Sequence, residues 1–189
     1  YGTEISLTAP SPNLGYTFLG WYLEDKLLTE AIVHKLDVPA KNMTLTVKYE
    51  PLNEMSVYNF TSTPTTCTIT GIKDKTVTCI VVPDYVTNIG KGAFFECSNL
   101  TDITLPFVGA QKEGNENTHF GYIFGADSYD YNDSYVPASL KTVIITSGTR
   151  VEDYAFSGCS SLTNITLSNN IISIGEEAFS GCKNLIQTE

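Results

Sequence analysis

Histidine, tryptophan and positive charge are all scarce in this chain. Two histidines (His34 and His119), one tryptophan (Trp21) and 11 Lys plus Arg stand among 189 residues. Neither histidine lies near a G-x-S-x-G nucleophile turn, and no such turn occurs. H-E-x-x-H, the Walker loop and G-x-G-x-x-G are missing too, so no cofactor is implied. The shortage of base, set against 21 acids, leaves a net charge of −10. Such a field repels phosphate backbones and anionic lipid, which argues against nucleic acid and membrane surfaces as partners. No run of 18 apolar residues exists, so no membrane insertion is expected in this segment. No two cysteines have C-x-x-C spacing, which removes the common zinc pattern. No leader is visible, and the chain opens at Tyr1 without Met and stops at Glu189; it reads as a piece of a longer protein.

What is present is a repeat. Hydrophobic residues make up 42% and charged residues 17%, a globular composition with room for a sizeable core. Residues 93–100, 155–162 and 178–185 align without gaps as A-F-x-x-C-x-x-L. The first two run on into Leu100-x-x-Ile103-x-Leu105 and Leu162-x-x-Ile165-x-Leu167. Val77-x-x-Ile80-x-Val82 and Leu140-x-x-Val143-x-Ile145 share that form without the preceding motif. The first strand position therefore falls at 77, 100, 140, 162 and 185. The L-x-x-I-x-L pattern puts three apolar side chains on the inward face of one short strand. The A-F-x-x-C turn supplies a second inward set. One such coil cannot bury these groups alone; stacked coils form a continuous core and a parallel ladder of strands. Cys97, Cys159 and Cys182 share one repeat position, so they read as small core hydrophobes rather than nucleophiles.

The full pattern from Ile89 to Pro106, Ile-Gly-x-x-Ala-Phe-x-x-Cys-x-x-Leu-x-x-Ile-x-Leu-Pro, resembles the BspA-like class of leucine-rich repeats. Ile174-Gly175-Glu176-Glu177-Ala178-Phe179 repeats the signature. The copy between them departs from it, with Arg150-Val151-Glu152-Asp153 replacing Ile-Gly-x-x. The resemblance covers residues 67–189. It implies exported or surface-attached bacterial proteins, and adhesion or protein–protein interaction rather than chemistry.

The first fifty residues do not fit the repeat. Ile5–Pro10, Tyr16–Tyr22 and the alternating Met43–Tyr49 read as short strands, with a possible helical turn over Leu27–Leu36. The run Gly15-Tyr16-Thr17-Phe18-Leu19-Gly20-Trp21-Tyr22 resembles the core of the Listeria–Bacteroides repeat, the internalin-type B-repeat. That likeness implies a small β-grasp-like unit over residues 1–52, with one strand fewer than usual at its start. Trp21 is then a core residue; the other reading is an exposed ligand-binding aromatic. Residues 53–66 are polar and hold Pro64, as a linker or a cap on the first coil would. Cys67 and Cys79 flank a possible hairpin around Ile72-Lys73-Asp74, where they either form a disulfide or sit as small residues in the end coil.

The 40-residue step from 100 to 140 is one repeat plus an insertion over 107–139. Phe124-Gly125-Ala126-Asp127 can stand there for Phe-x-x-Cys, with Asp127 at the Cys position and His119 on the surface. Residues 127–135 pack three Asp and three Tyr together. Three readings stay open: a calcium site, a binding loop in which Tyr supplies amphipathic contact area, and a solvated loop packing its own tyrosines.

The expected fold is thus mainly β with short helical turns: a leucine-rich-repeat solenoid preceded by a small β-grasp-like unit. The expected contact surface is the outward side of the ladder, with Thr101, Asp102 and Thr104, then Lys141, Thr142 and Ile144, then Thr163, Asn164 and Thr166. Tyr129, Asp130, Tyr131 and Tyr135 of the insertion add to it. The function that follows is a non-enzymatic, extracellular fragment binding a host or bacterial surface protein. The alternatives are a structural stalk and a carbohydrate-active enzyme, the latter needing two converging carboxylates.

Overall fold

Strands arise wherever apolar residues alternate, and turns wherever Gly, Pro, Asn or Asp interrupt them. The computed structural model describes residues 4–37 and 43–186. Most of its regular structure is strand, with little helix.

The N-terminal part holds β1 (Glu4–Thr8), β2 (Tyr16–Leu23), β3 (Lys26–Thr29), β4 (Val33–Asp37) and β5 (Leu45–Pro51). All pairings are antiparallel: β1 with β4, and β2 centrally between β3 and β5. The expected helical turn over Leu27–Leu36 is not there; β3 and β4 occupy that stretch. A Glu24-Asp25 turn with positive φ at both residues closes a tight β2–β3 hairpin, and pairing with β2 outweighs any local helix preference. Trp21 is buried, as a core residue should be.

β6 (Tyr58–Ser62) and β7 (Cys67–Ile72) form an antiparallel hairpin. This corrects the Cys67–Cys79 hairpin. The turn lies at Thr63–Thr66, held by Thr63 N–H donating to Thr66 C=O at 2.8 Å, not at Ile72-Lys73-Asp74. Cys67 is buried on β7 while Cys79 is exposed on a different sheet, and both thiols are free. Met55, just before the hairpin, and Tyr58, its first residue, are also in the core.

Beyond the hairpin come β8 (Cys79–Val81), β9 (Asn88–Ile89), β10 (Asp102–Leu105), β11 (Thr142–Ile145), β12 (Arg150–Val151), β13 (Asn164–Thr166) and β14 (Ser173–Ile174). β8, β10, β11 and β13 form one parallel sheet in that order. Its register is regular: Ile80, Ile103, Val143 and Ile165 lie side by side. Leu100, Ile103, Leu105, Leu140, Val143, Ile145 and Leu162 are all buried, as the strand pattern requires. A second row of short strands pairs β7 with β9 and β12 with β14, both parallel. Val151 pairs with Ile174, so the repeat resumes one residue later than expected: Val151-Glu152, not Arg150-Val151, replaces Ile-Gly. Burial decides this, since Val151 is inside and Arg150 is exposed.

The turns stack through phenylalanine. Ring centroids run Phe94–Phe124 at 6.4 Å, Phe124–Phe120 at 5.4 Å, Phe120–Phe156 at 5.0 Å and Phe156–Phe179 at 5.4 Å. The stretched repeat thus contributes two rings. Phe94 N–H donates to Ile123 C=O and Phe120 N–H to Ala155 C=O, so Phe124 serves the turn before and Phe120 the turn after. Asp127 is not at the buried Cys position. It is exposed and paired with Lys91, because an unpaired carboxylate is too costly to bury. His119 is likewise not on the surface; it is buried, with Nε2 3.3 Å from Ala126 O.

Candidate functional site

The outward side of the parallel sheet is built by period two. Opposite the buried row lie Cys79, Asp102, Thr142 and Asn164 in one rank, and Val81, Thr104, Ile144 and Thr166 in the next. Asp102, Asn164, Thr166, Ile144 and Val81 are exposed; Thr142 and Thr104 are half-buried between neighbours. Of the expected ladder residues, Asp102, Thr104, Thr142, Ile144, Asn164 and Thr166 lie on this face; Thr101, Lys141 and Thr163 precede the strands.

Three of them are occupied with backbone. Thr101, Lys141 and Thr163 enter the strands, and each N–H donates to the carbonyl one strand earlier: Thr101 to Thr78, Lys141 to Thr101, Thr163 to Lys141. The Thr101 hydroxyl lies 3.0 Å from Thr78 O and 2.6 Å from the Asp102 carboxylate. The Thr163 hydroxyl donates to Lys141 O at 3.3 Å. Lys141 Nζ reaches the carbonyls of Ala138 and Ser161 at 2.8 and 3.2 Å. A group already hydrogen-bonded offers less to a ligand, so Ile144, Asn164 and Thr166 are the freer members, while Asp102 keeps the carboxylate oxygen that Thr101 does not hold.

The tyrosine-rich part of the insertion, residues 127–135, stands against the Ala-Phe turns. Tyr129 stacks on Tyr154 with centroids 4.4 Å apart and planes at 14°. A short helix, α1 (Asn132–Tyr135), follows. Asn132 is fully buried and joins three backbone groups. Its Oδ1 accepts from Gly121 N–H at 2.8 Å, and its Nδ2 donates toward Ala155 O at 3.4 Å and Ser157 O at 2.9 Å. Ser128 caps the preceding turn by accepting from Asp130 N–H at 3.3 Å. Tyr129, Tyr131 and Tyr135 remain 38%, 54% and 40% exposed, which makes an aromatic surface distinct from the ladder. Among the described residues, no group of three or more His, Cys, Asp or Glu is placed to hold a metal ion.

The repeat cysteines are poorly placed as nucleophiles. Cys97 and Cys159 are buried and Cys182 is half-buried. Burial pushes all three thiols up from their ordinary range, Cys159 furthest, and only the thiolate is reactive. Burial also lowers the His119 pKa, aided by Lys91 and opposed by the Ala126 carbonyl and Asp127.

A groove of about 550 Å³ opens beside β8, between the 54–58 segment and the 83–85 turn. Its lining comes from three separate stretches with no shared motif, so no local pattern announces it.

Comparison with known proteins places the repeats. The model for the BspA type leucine rich repeat region matches residues 73–111 and 131–189, in six copies, which is more than half of the chain. The divergent InlB B-repeat domain matches residues 1–53. A protein of Evansella cellulosilytica is 41% identical over 58 residues, covering 31% of this chain and 8% of the relative. A leucine-rich repeat protein from Bacteroides ovatus aligns at 30% identity and a TM-score of 0.39, over 58% of this chain and 24% of that one. A leucine rich cell surface protein from Faecalibacterium prausnitzii aligns at 22% identity and a TM-score of 0.33, over 70% of this chain and 52% of that one. This chain therefore spans only part of each of these relatives. With its repeats matched over more than half its length, the chain belongs to the BspA type leucine-rich repeat family and carries a divergent InlB B-repeat domain ahead of them.

Proposed function

We propose that this chain is a non-enzymatic segment of an extracellular bacterial surface protein that binds a protein partner. In this reading residues 1–52 form a β-grasp-like unit, 53–66 a linker or cap, and 67–189 a leucine-rich-repeat solenoid with the 107–139 insertion. The observation that carries it is the in-register parallel sheet, which lines up Asp102, Thr142 and Asn164 in one rank and Thr104, Ile144 and Thr166 in the next on one outward face. Rigid strands place such groups with little entropy left to lose on binding. The exposed tyrosines of the insertion offer a second contact area of the kind that recognition loops use.

The 189-residue chain, immobilised and screened against purified host and bacterial surface proteins, is expected to yield a saturable ligand. Asp102→Lys combined with Asn164→Lys should weaken that ligand by about tenfold or more if the ladder is the contact face. Tyr131→Ala should do so if the insertion is. A screen with no selective ligand would favour the structural reading, a stalk that carries other domains away from the cell. The regular ladder supports that reading as well.

A further inference from the structure

β8 is an open edge of the parallel sheet, since β10 is its one strand partner among the described residues. The bonds to β10 alternate along it. Asp102 N–H donates to Thr78 O, and Val82 N–H donates to Thr104 O. In a parallel ladder the intervening groups face the other way, so the N–H and C=O of Cys79 and Val81 point out of the edge. The Tyr58 hydroxyl takes the Val81 carbonyl at 2.7 Å, which agrees with that direction. The β6–β7 hairpin adds no strand to this edge, since it pairs with β9 in the other row; its end residues Tyr58 and Ile72 reach the edge as groove wall.

Beside the edge lies the 550 Å³ groove, walled by Val57, Tyr58, Ile72 and Val77. Val57 and Val81 are 49% and 59% exposed, so apolar surface lies open along it. Glu54 and Asp84 are its charged lining, and neither Lys nor Arg lines it. Glu54 accepts from the Tyr85 hydroxyl and Asp84 from that of Thr146, but among the described residues neither carboxylate is in an ion pair. Hydroxyl bonds orient these carboxylates and leave their charge uncompensated.

We propose that the β8 edge and its groove take up an extended peptide segment of a protein partner, added as a strand beside β8, apolar toward the groove and basic toward Glu54 and Asp84. The outward backbone groups of Cys79 and Val81 supply the main-chain bonds. The Val81 carbonyl has a second lone pair to offer beside Tyr58. The apolar wall takes alternate side chains and the two carboxylates select for lysine or arginine. This site adjoins the ladder face at Cys79 and Val81 and lies apart from the insertion; it uses the outward backbone of β8 and the groove, not the ladder side chains of β10, β11 and β13.

Cys79 is exposed in the groove lining, so its thiol reports occupancy. The probe is an end-blocked hexapeptide of alternating valine and lysine, with a valine and glutamate counterpart. The readout is the rate of maleimide alkylation, measured by mass spectrometry on the fragment that contains Cys79. The lysine peptide should slow alkylation by about tenfold or more at saturation, and the glutamate peptide should leave it unchanged. Val81→Pro removes the outward N–H without touching a bond to β10, and should abolish protection. Val57→Lys, on the exposed rim, should weaken the lysine peptide by about tenfold through like-charge repulsion. Asn164→Lys, on the strand farthest from β8 in the sheet, should leave protection intact. No protection at millimolar peptide, equal protection by both peptides, or wild-type protection in both groove variants would overturn the proposal. So would protection that rises with protein concentration in the absence of peptide, which would assign the edge to a second copy.

Discussion

Asn132 shows how much one residue can carry here. It sits where the insertion rejoins the turns, and its amide satisfies Gly121 N–H and the carbonyls of Ala155 and Ser157. Removing the amide orphans buried backbone groups, each worth about 1–3 kcal/mol. Asn132→Ala should therefore cost roughly 2–4 kcal/mol in urea denaturation; a loss below about half that would mean water replaces the amide. His119 makes a different prediction. Burial holds its pKa below the ordinary value of 6.5, so the folded state favours the neutral ring. Its contribution is intact at neutral pH and is lost as pH falls below about 6.5, because the unfolded chain takes up the proton first. Wild type should lose more stability than His119→Gln between pH 7.5 and 5.5. Parallel curves would show that the ring gains solvent on protonation.

Each strand of the parallel sheet has an inside and an outside, and the two should respond differently to truncation. Leu162 is fully buried against its neighbours, whereas the adjoining Thr163 gives one long hydroxyl bond to Lys141 O. Leu162→Ala should cost about 2–5 kcal/mol and Thr163→Ala about 1 kcal/mol or less, both read from denaturation midpoints. Equal losses would reverse the facing of the strand. The same logic explains how the stretched repeat keeps its stacking. Its neighbours each need a phenylalanine against them, and the insertion meets both with Phe120 and Phe124 from a single 3-10 turn. The insertion lengthens the coil without interrupting the line of rings.

Over the whole molecule, cohesion comes from apolar burial and repeated backbone bonds rather than from covalent links. All five cysteines are free. A native disulfide contributes about 2–5 kcal/mol, which would move the melting point of a chain this size by several degrees. The thermal midpoint should instead be the same with and without dithiothreitol, and alkylation after unfolding should modify five thiols per chain. A clear drop under reductant would show that Cys67 and Cys79 can meet after all. Much of this architecture was legible beforehand. The recurring spacing of Ala, Phe, Cys and Leu marked which turn residues are inside, because each repeat must bury the same positions against its neighbours; on the strands, residues two apart such as Ile103 and Leu105 face the same way. The aromatic run through Trp21 determined where the first unit begins its central strand. Tertiary structure alone decided the rest. It paired Val33–Asp37 with Glu4–Thr8 across distant sequence, turned Val151 rather than Arg150 inward, and put His119 inside and Asp127 outside. It also left β8 open beside a groove lined from three separate stretches. Repeats obey local periodicity and so announce themselves; caps, insertions and sheet edges depend on which distant segment arrives to cover them, and no local pattern records that.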